Sequence, residues 1–262
     1  MKIAVLIADS HGEPFETIRK KCLEEIWQKT PSEISVFTMI GKEVDFFTRI
    51  LNAVSSRLKY SALWPIQRLF DKITLQRFKC RLPSVQLDDN VLKVEVSEGL
   101  RYLGPKYLAS VQFLFNEGYD IVYKTTLSSV VQKDLLLNLL ENVKPDIAFY
   151  AGSIVYSGNR QFASGANVAL NQTMFNLVTM NLKKWDFADY DDVALGKIAA
   201  QENVVISEIS TMNIGSVQEL NLLTESQLSR TVHYRCKSKD SPRNDVEIID
   251  KLLKRLGKIN AG

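Results

Sequence analysis

The sequence predicts an α/β fold with a mostly parallel central sheet flanked by helices, and three observations predict it. Apolar runs of strand length alternate with segments of helical periodicity. The first run, Ile3 to Ala8, is apolar throughout rather than at every second position. It stops abruptly at Asp9, Ser10, His11 and Gly12. A continuous apolar strand is one buried on both faces, as in a parallel sheet covered by helices. With 262 residues, 45% hydrophobic and 24% charged, the chain has material for one sizeable core and reads as one domain, 1–262.

The remaining elements follow in order. Phe15, Ile18, Cys22 and Ile26 recur at helical spacing with charges between them. Ile34 to Ile40 reads as a second strand, and VLKVEV (91–96) as the next. A helix is predicted around Tyr107 to Phe115, then the strand YDIVYK (119–124), the helix QKDLLLNLLEN (132–142) and the strand DIAFYAG (146–152). This β-α-β-α order is the mark of a sheet with helices on both faces. From Phe162 the pattern loosens. A last helix is predicted from about Asn244 to Leu256, with Val246, Ile249, Leu252, Leu253 and Leu256 on one side.

Residues 46–81 interrupt the rhythm. Eight cations (Arg49, Arg57, Lys59, Arg68, Lys72, Arg77, Lys79, Arg81) stand against Asp71 alone, interleaved with six aromatic residues. Such an insert fits an amphipathic helical pair with its aromatics inward; it also fits a peripheral membrane contact or a phosphorylated acceptor. No nucleic-acid module is visible, and none is expected as a partner. The whole chain carries only +3. Cys22, Cys80 and Cys236 are odd in number and lack CxxC spacing, so free thiols in a reducing compartment are expected. The opening apolar run is too short for a signal peptide, and no run approaches the ~18 residues of a membrane span. A cytoplasmic protein, soluble or peripheral to a membrane, is the expectation.

Three segments carry candidate chemistry. In GYDIVYKTTLSSVV (118–131) a strand ends in Thr125, Thr126, Ser128 and Ser129, where small hydroxyl residues let a ligand lie against the backbone. They serve equally as caps of the following helix. In YAGSIVYSGNRQFASGANVALN (150–171), Ser164 and Gly165 offer close approach to the main chain, or simply a bulge. In WDFADYDDVALGKIAA (185–200), Asp191 and Asp192 precede a helical apolar pattern. One suits the helix cap and dipole, and the other suits a general base.

Read in order, KT-x-x-SS, YAG, F-x-SG and DDV-x-x-G resemble the β-1,3-galactosyltransferase, N-acetylglucosaminyltransferase and fringe-like group of glycosyltransferases. IRKKCLEEIW (18–27) is similar to that group's IR-x-TW helix. The resemblance covers about residues 90–205 and implies a single GT-A-type domain. It implies an enzyme that takes a nucleoside diphosphate sugar, a UDP-sugar in that group, and a glycan acceptor. It places Asp9, Ser10 and His11 beside the nucleoside, Asp192 as the base and Asp191 near the acceptor. One departure stands out: Thr126, Leu127 and Ser128 occupy the place of that group's acidic metal-binding triplet, so no divalent metal is expected. The chain is more similar to a bacterial and viral branch with KTN-x-SS-like strings there.

Without a metal, the leaving diphosphate requires another counter-charge. TVHYRCKSKDSPRNDVEIIDKLL (231–253) supplies His233, Arg235 and Lys237, alternating on a strand-like stretch and so expected on one face. The same run also reads as a solvated basic loop. The loss of the triplet equally fits a catalytically inactive domain that binds a sugar or a partner. A Rossmann methyltransferase is disfavoured, since ADSHGEPF rather than GxGxxG follows the first strand.

Overall fold

In the computed structural model, residues 1–42, 65, 74–99, 102–158, 160–240 and 243–259 are described. The first four long strands are β1 (Ile3–Ala8), β2 (Ile34–Lys42), β4 (Val91–Ser97) and β5 (Ile121–Thr126), with β3 (Val85–Asp88) ahead of β4. β1 lies between β2 and β5, parallel to both, which is why IAVLIA is apolar at every position. β2 pairs β4 in parallel, and β3 joins β4 as an antiparallel hairpin. The QLDDN string is the turn of that hairpin, with Asp89 at a φ of 51°.

Beyond β5 the sheet changes character. β7 (Tyr150–Ser157) and β8 (Arg160–Asn171) are antiparallel to each other, β8 is antiparallel to β5, and β9 (Ile206–Glu208) closes the edge parallel to β7. The full order is β3-β4-β2-β1-β5-β8-β7-β9. The strand expected over 146–152 begins only at Tyr150. Asn171 accounts for the delay: its amide donates to the carbonyls of Lys144 (3.2 Å) and Ile147 (2.7 Å), and its Oδ1 accepts from Phe149 N (3.0 Å). Those groups are therefore satisfied outside the ladder.

Side chains of β1 alternate between two cores. Ala4 and Leu6 join the layer formed with α2 (Leu103–Asn116), α4 (Gln172–Met180) and α5 (Asp191–Gln201). Ile3, Val5 and Ile7 join the opposite layer, with α1 (Phe15–Lys21), α3 (Lys133–Leu140) and α8 (Asp245–Ile259). The helix expected at 244–256 is thus α8, buried through Ile249, Leu252 and Leu256. Of the basic stretch 46–81, only residue 65 and residues 74–81 are described. Leu75 and Phe78 within it are buried in the first core, Phe78 lying 5.9 Å from the ring of Phe187. The rest of that stretch, and the membrane contact expected of it, lie outside the described residues. No described helix is long and apolar enough to cross a membrane.

A second, three-stranded sheet completes the arrangement. β6 (Ser129–Val131) follows β5 directly and pairs antiparallel with β11 (His233–Arg235), which pairs in parallel with β10 (Thr211–Asn213). Short helices α6 (Val217–Asn221) and α7 (Glu225–Arg230) connect β10 to β11. The pairing of β6 with β11 brings the cationic C-terminal stretch to the end of β5. That placement builds the site.

Candidate active site

The chain runs from β1 to β2 on one side, then returns across β1 to β5 on the other. The carboxyl ends of β1 and β5 therefore flank a topological switch point, where open α/β sheets form ligand crevices. A cleft of about 320 Å³ lies there. Its walls come from Asp9 and Ser10 after β1, Thr126 and Ser128 after β5, and Arg235, Lys237 and Arg243 from the C-terminal stretch. Glu98 and Lys106 line its far end.

On the β1 side, Asp9 is buried and its carboxylate accepts from the Arg19 guanidinium at Nε and, at 3.0 Å, from Nη2. Arg19 also donates to Ser10 O at 2.8 Å, which fixes the loop after β1. His11 is exposed on that loop, with Nε2 3.1 Å from Gly41 O, and does not line the cleft. Sequence reasoning passed over Lys106 and Glu98. Lys106 is buried in α2 and donates to Glu98 Oε1 at 2.5 Å and to Asp9 O at 3.4 Å. A lysine within the apolar stretch LGPKYLASV was the available signal, since buried lysines are paired.

The β5 side is held by α8. Ser128 Oγ donates to Asp245 Oδ2 at 2.6 Å, Ser238 N donates to Asp245 Oδ1 at 2.8 Å, and Arg243 pairs with the same carboxylate. Thr126 is half-buried, its Oγ1 2.9 Å from Ser129 Oγ; Ser129 is fully buried and does not reach the cleft.

The three expected cations separate. Arg235 and Lys237 line the cleft, whereas His233 is fully buried, with Nε2 3.4 Å from Thr125 Oγ1. Burial, then the charge of Arg235, lower its pKa to about 3, so the imidazole is neutral near pH 7. The expected row of three is therefore two, with Arg243 as the third cation that the C-terminal stretch brings to the cleft. Among the described residues, the Arg235 and Lys237 side chains have no hydrogen-bond or ion-pair partner. Burial lowers both pKa values, and mutual repulsion with Arg243 lowers them further.

Asp191 and Asp192 stand at the start of α5 and do not line this cleft. Tyr190 occupies the cap position, and Asp191 does not cap the helix as expected. Its carboxylate is buried on Lys124, near the end of β5. Asp192 is half-buried; its Oδ2 accepts from Gly165 N at 2.9 Å and its Oδ1 from Val193 N at 2.8 Å. Ser164, half-buried beside Gly165, turns its Oγ to Ala166 N at 3.4 Å. The Asp192 carboxyl is held above its ordinary range by burial first and then by the Asp191 charge. Arg235 links the two regions, since it lines the cleft and also feels the charge of Asp192. A larger cleft of about 780 Å³, along α5, β9 and the start of β8, contains none of the expected site residues.

No family model and no curated protein matches the chain. Among solved structures, it is similar to the crystal structure of a glycosyltransferase involved in the glycosylation of the major capsid of PBCV-1. The identity is 8% and the TM-score 0.44, over 96% of this chain and 99% of that one.

Proposed function

We propose that the chain is a GT-A-type glycosyltransferase that moves a sugar from a nucleoside diphosphate donor, a UDP-sugar, to a hydroxyl of a glycan acceptor. The observation that carries this reading is Arg235. A half-buried guanidinium without a carboxylate partner among the described residues faces a crevice at the sheet's switch point, beside Lys237 and Arg243. Cations that repel one another in a partly desolvated site are relieved by a polyanion, and arginine forks match phosphate oxygens. The order of motifs in the sequence supports a glycosyl donor as the source of that polyanion.

The transfer inverts the anomeric carbon. The acceptor oxygen forms its bond to that carbon while the bond to the diphosphate oxygen breaks. The electron pair leaves with the diphosphate, whose growing charge Arg235 and Lys237 offset. The acceptor proton passes to the Asp192 carboxylate. Asp9 and Ser10 border the nucleoside end of the cleft. The end of β5 does not fit a divalent cation, since Thr126 and Ser128 supply hydroxyls and Leu127 an alkyl group where hard cations take carboxylates, and no step is routed through a metal.

Calorimetry with UDP and a donor-turnover assay test the proposal. Arg235→Ala is expected to weaken UDP binding by about 10-fold or more, the loss of a charge-assisted hydrogen bond. Asp192→Asn keeps UDP binding and lowers transfer by ~10²–10⁴-fold. EDTA leaves the rate unchanged. Absence of nucleotide binding, or normal turnover in Asp192→Asn, sinks the assignment. The neutral residues at 126–128 also favour a second reading, an inactive domain that binds the sugar nucleotide without cleaving it. Release of free sugar from bound donor excludes that reading.

A further inference from the structure

Lys124 and Asp191 form a buried ion pair, with side chains 1% and 4% exposed, at a junction of three elements. Lys124 sits near the C-terminal end of β5, between Leu6 of β1 and Val168 of β8. Its ammonium also lies 4.7 Å from the ring centre of Tyr107 on α2. Asp191 is the first residue of α5, and Asp192 follows it. Single removal of either charge would leave the other buried without compensation, so the two hold one another in place. Neither role comes from helix capping, because the cap position is Tyr190 and makes no side-chain cap bond.

We propose that Lys124 and Asp191 are a positioning pair, clamping the first turn of α5 to the end of β5 and so holding the Asp192 carboxylate against Gly165, facing Arg235. What Asp192 then does rests on the function proposed above; the clamp itself does not. A base misplaced by about 1 Å can lose ~10²-fold in rate, so a rigid anchor one residue away has a direct consequence. The pair also sets the electrostatics of Asp192. The groups that face it are Asp191 on its own helix, Lys124 from β5, Tyr150 from β7, Arg235 from β11 and the Gly165 N–H from β8. Asp191 favours the protonated acid, whereas Lys124 and the two backbone N–H groups favour the carboxylate. Tyr107, from α2, lies on the Asp191 side of the pair.

The test follows the Asp192 carboxyl carbon by NMR titration, assigned by its loss in Asp192→Asn, together with the pH profile of donor turnover. Either single variant strands a buried charge and risks unfolding, so Asp191→Asn is read beside the double variant Lys124→Met/Asp191→Asn, which removes both charges, each checked for folding by thermal melt. In Asp191→Asn the Asp192 titration moves to lower pH, because the like charge is gone and Lys124 remains. In the double variant it also moves down, by less, because the favourable charge has gone too. Plateau turnover falls by up to ~10²-fold in the double variant, where the clamp is absent. An Asp192 titration unmoved in both folded variants, or an unchanged plateau in the double variant, overturns the proposal. A titration that moves, with a lowered plateau in the double variant but a turnover profile whose inflection does not follow it, supports the clamp and overturns instead the assignment of Asp192 as base.

Discussion

Gly165 donates its N–H to Asp192 Oδ2, and a Cβ added there would stand 3.1 Å from the same oxygen and 3.4 Å from Cγ. The contact is too tight to accept a methyl group without displacing the carboxylate. Gly165→Ala is therefore expected to lower transfer by roughly 10-fold while leaving UDP binding intact, read as a fall in kcat with an unchanged donor Kd. Equal losses in both would place Gly165 in the donor site instead. The SG string was legible as a place of close approach, but not what approaches; the answer is a side chain of this same chain. The Asp pair was half legible for a similar reason. Two adjacent carboxylates before a helix suggest a cap and a free acid, and nothing local reveals that Asp191 meets Lys124, 67 positions earlier.

At the scale of elements, α8 braces the cleft from behind through its first residue. Asp245 is buried and collects Ser128 Oγ, Ser238 N and the Arg243 guanidinium, tying the turn after β5 to the C-terminal stretch. Asp245→Ala would leave these donors unsatisfied at a cost of about 3 kcal/mol, lowering Tm by roughly 10 °C. UDP binding should weaken as well, since Ser128 and Arg243 both line the cleft; a melt and a titration on one preparation check both. β1 was readable because burial on both faces leaves a continuous apolar run, and β4 because its buried and exposed positions alternate. Of the three-residue strands, β11 was readable as the strand-like HYRCK, whereas β6 and β10 were not, because so short a stretch carries no usable alternation. His233 and Arg235 do sit two apart on β11, but a strand advances by about 7 Å over two residues. That step takes the chain from the packed interior beneath Thr125 to the rim of the cleft.

At the scale of the whole molecule, the neutral buried His233 makes stability depend on pH. Its pKa is lowered to about 3, whereas in the unfolded chain an ordinary histidine titrates near 6.5. Between those values the unfolded state binds a proton that the native state refuses, so stability falls as pH drops below about 6.5 and the loss levels off near pH 3. The full effect is on the order of 5 kcal/mol. Urea unfolding of His233→Gln should show a flatter acid dependence than the parent; parallel curves would contradict the buried neutral imidazole. The pairing that buries this histidine has another outcome. β6 and β11 meet across a long stretch of chain, with Gln132 bonded to Tyr234 at a separation of 102 residues. Contacts between such distant parts form late, after the entropy of closing the loop has been met. The cationic wall of the cleft thus comes into being only when this long-range pairing is made. Nucleotide binding should then report that pairing, and be absent from any compact species in which β6 and β11 have not met.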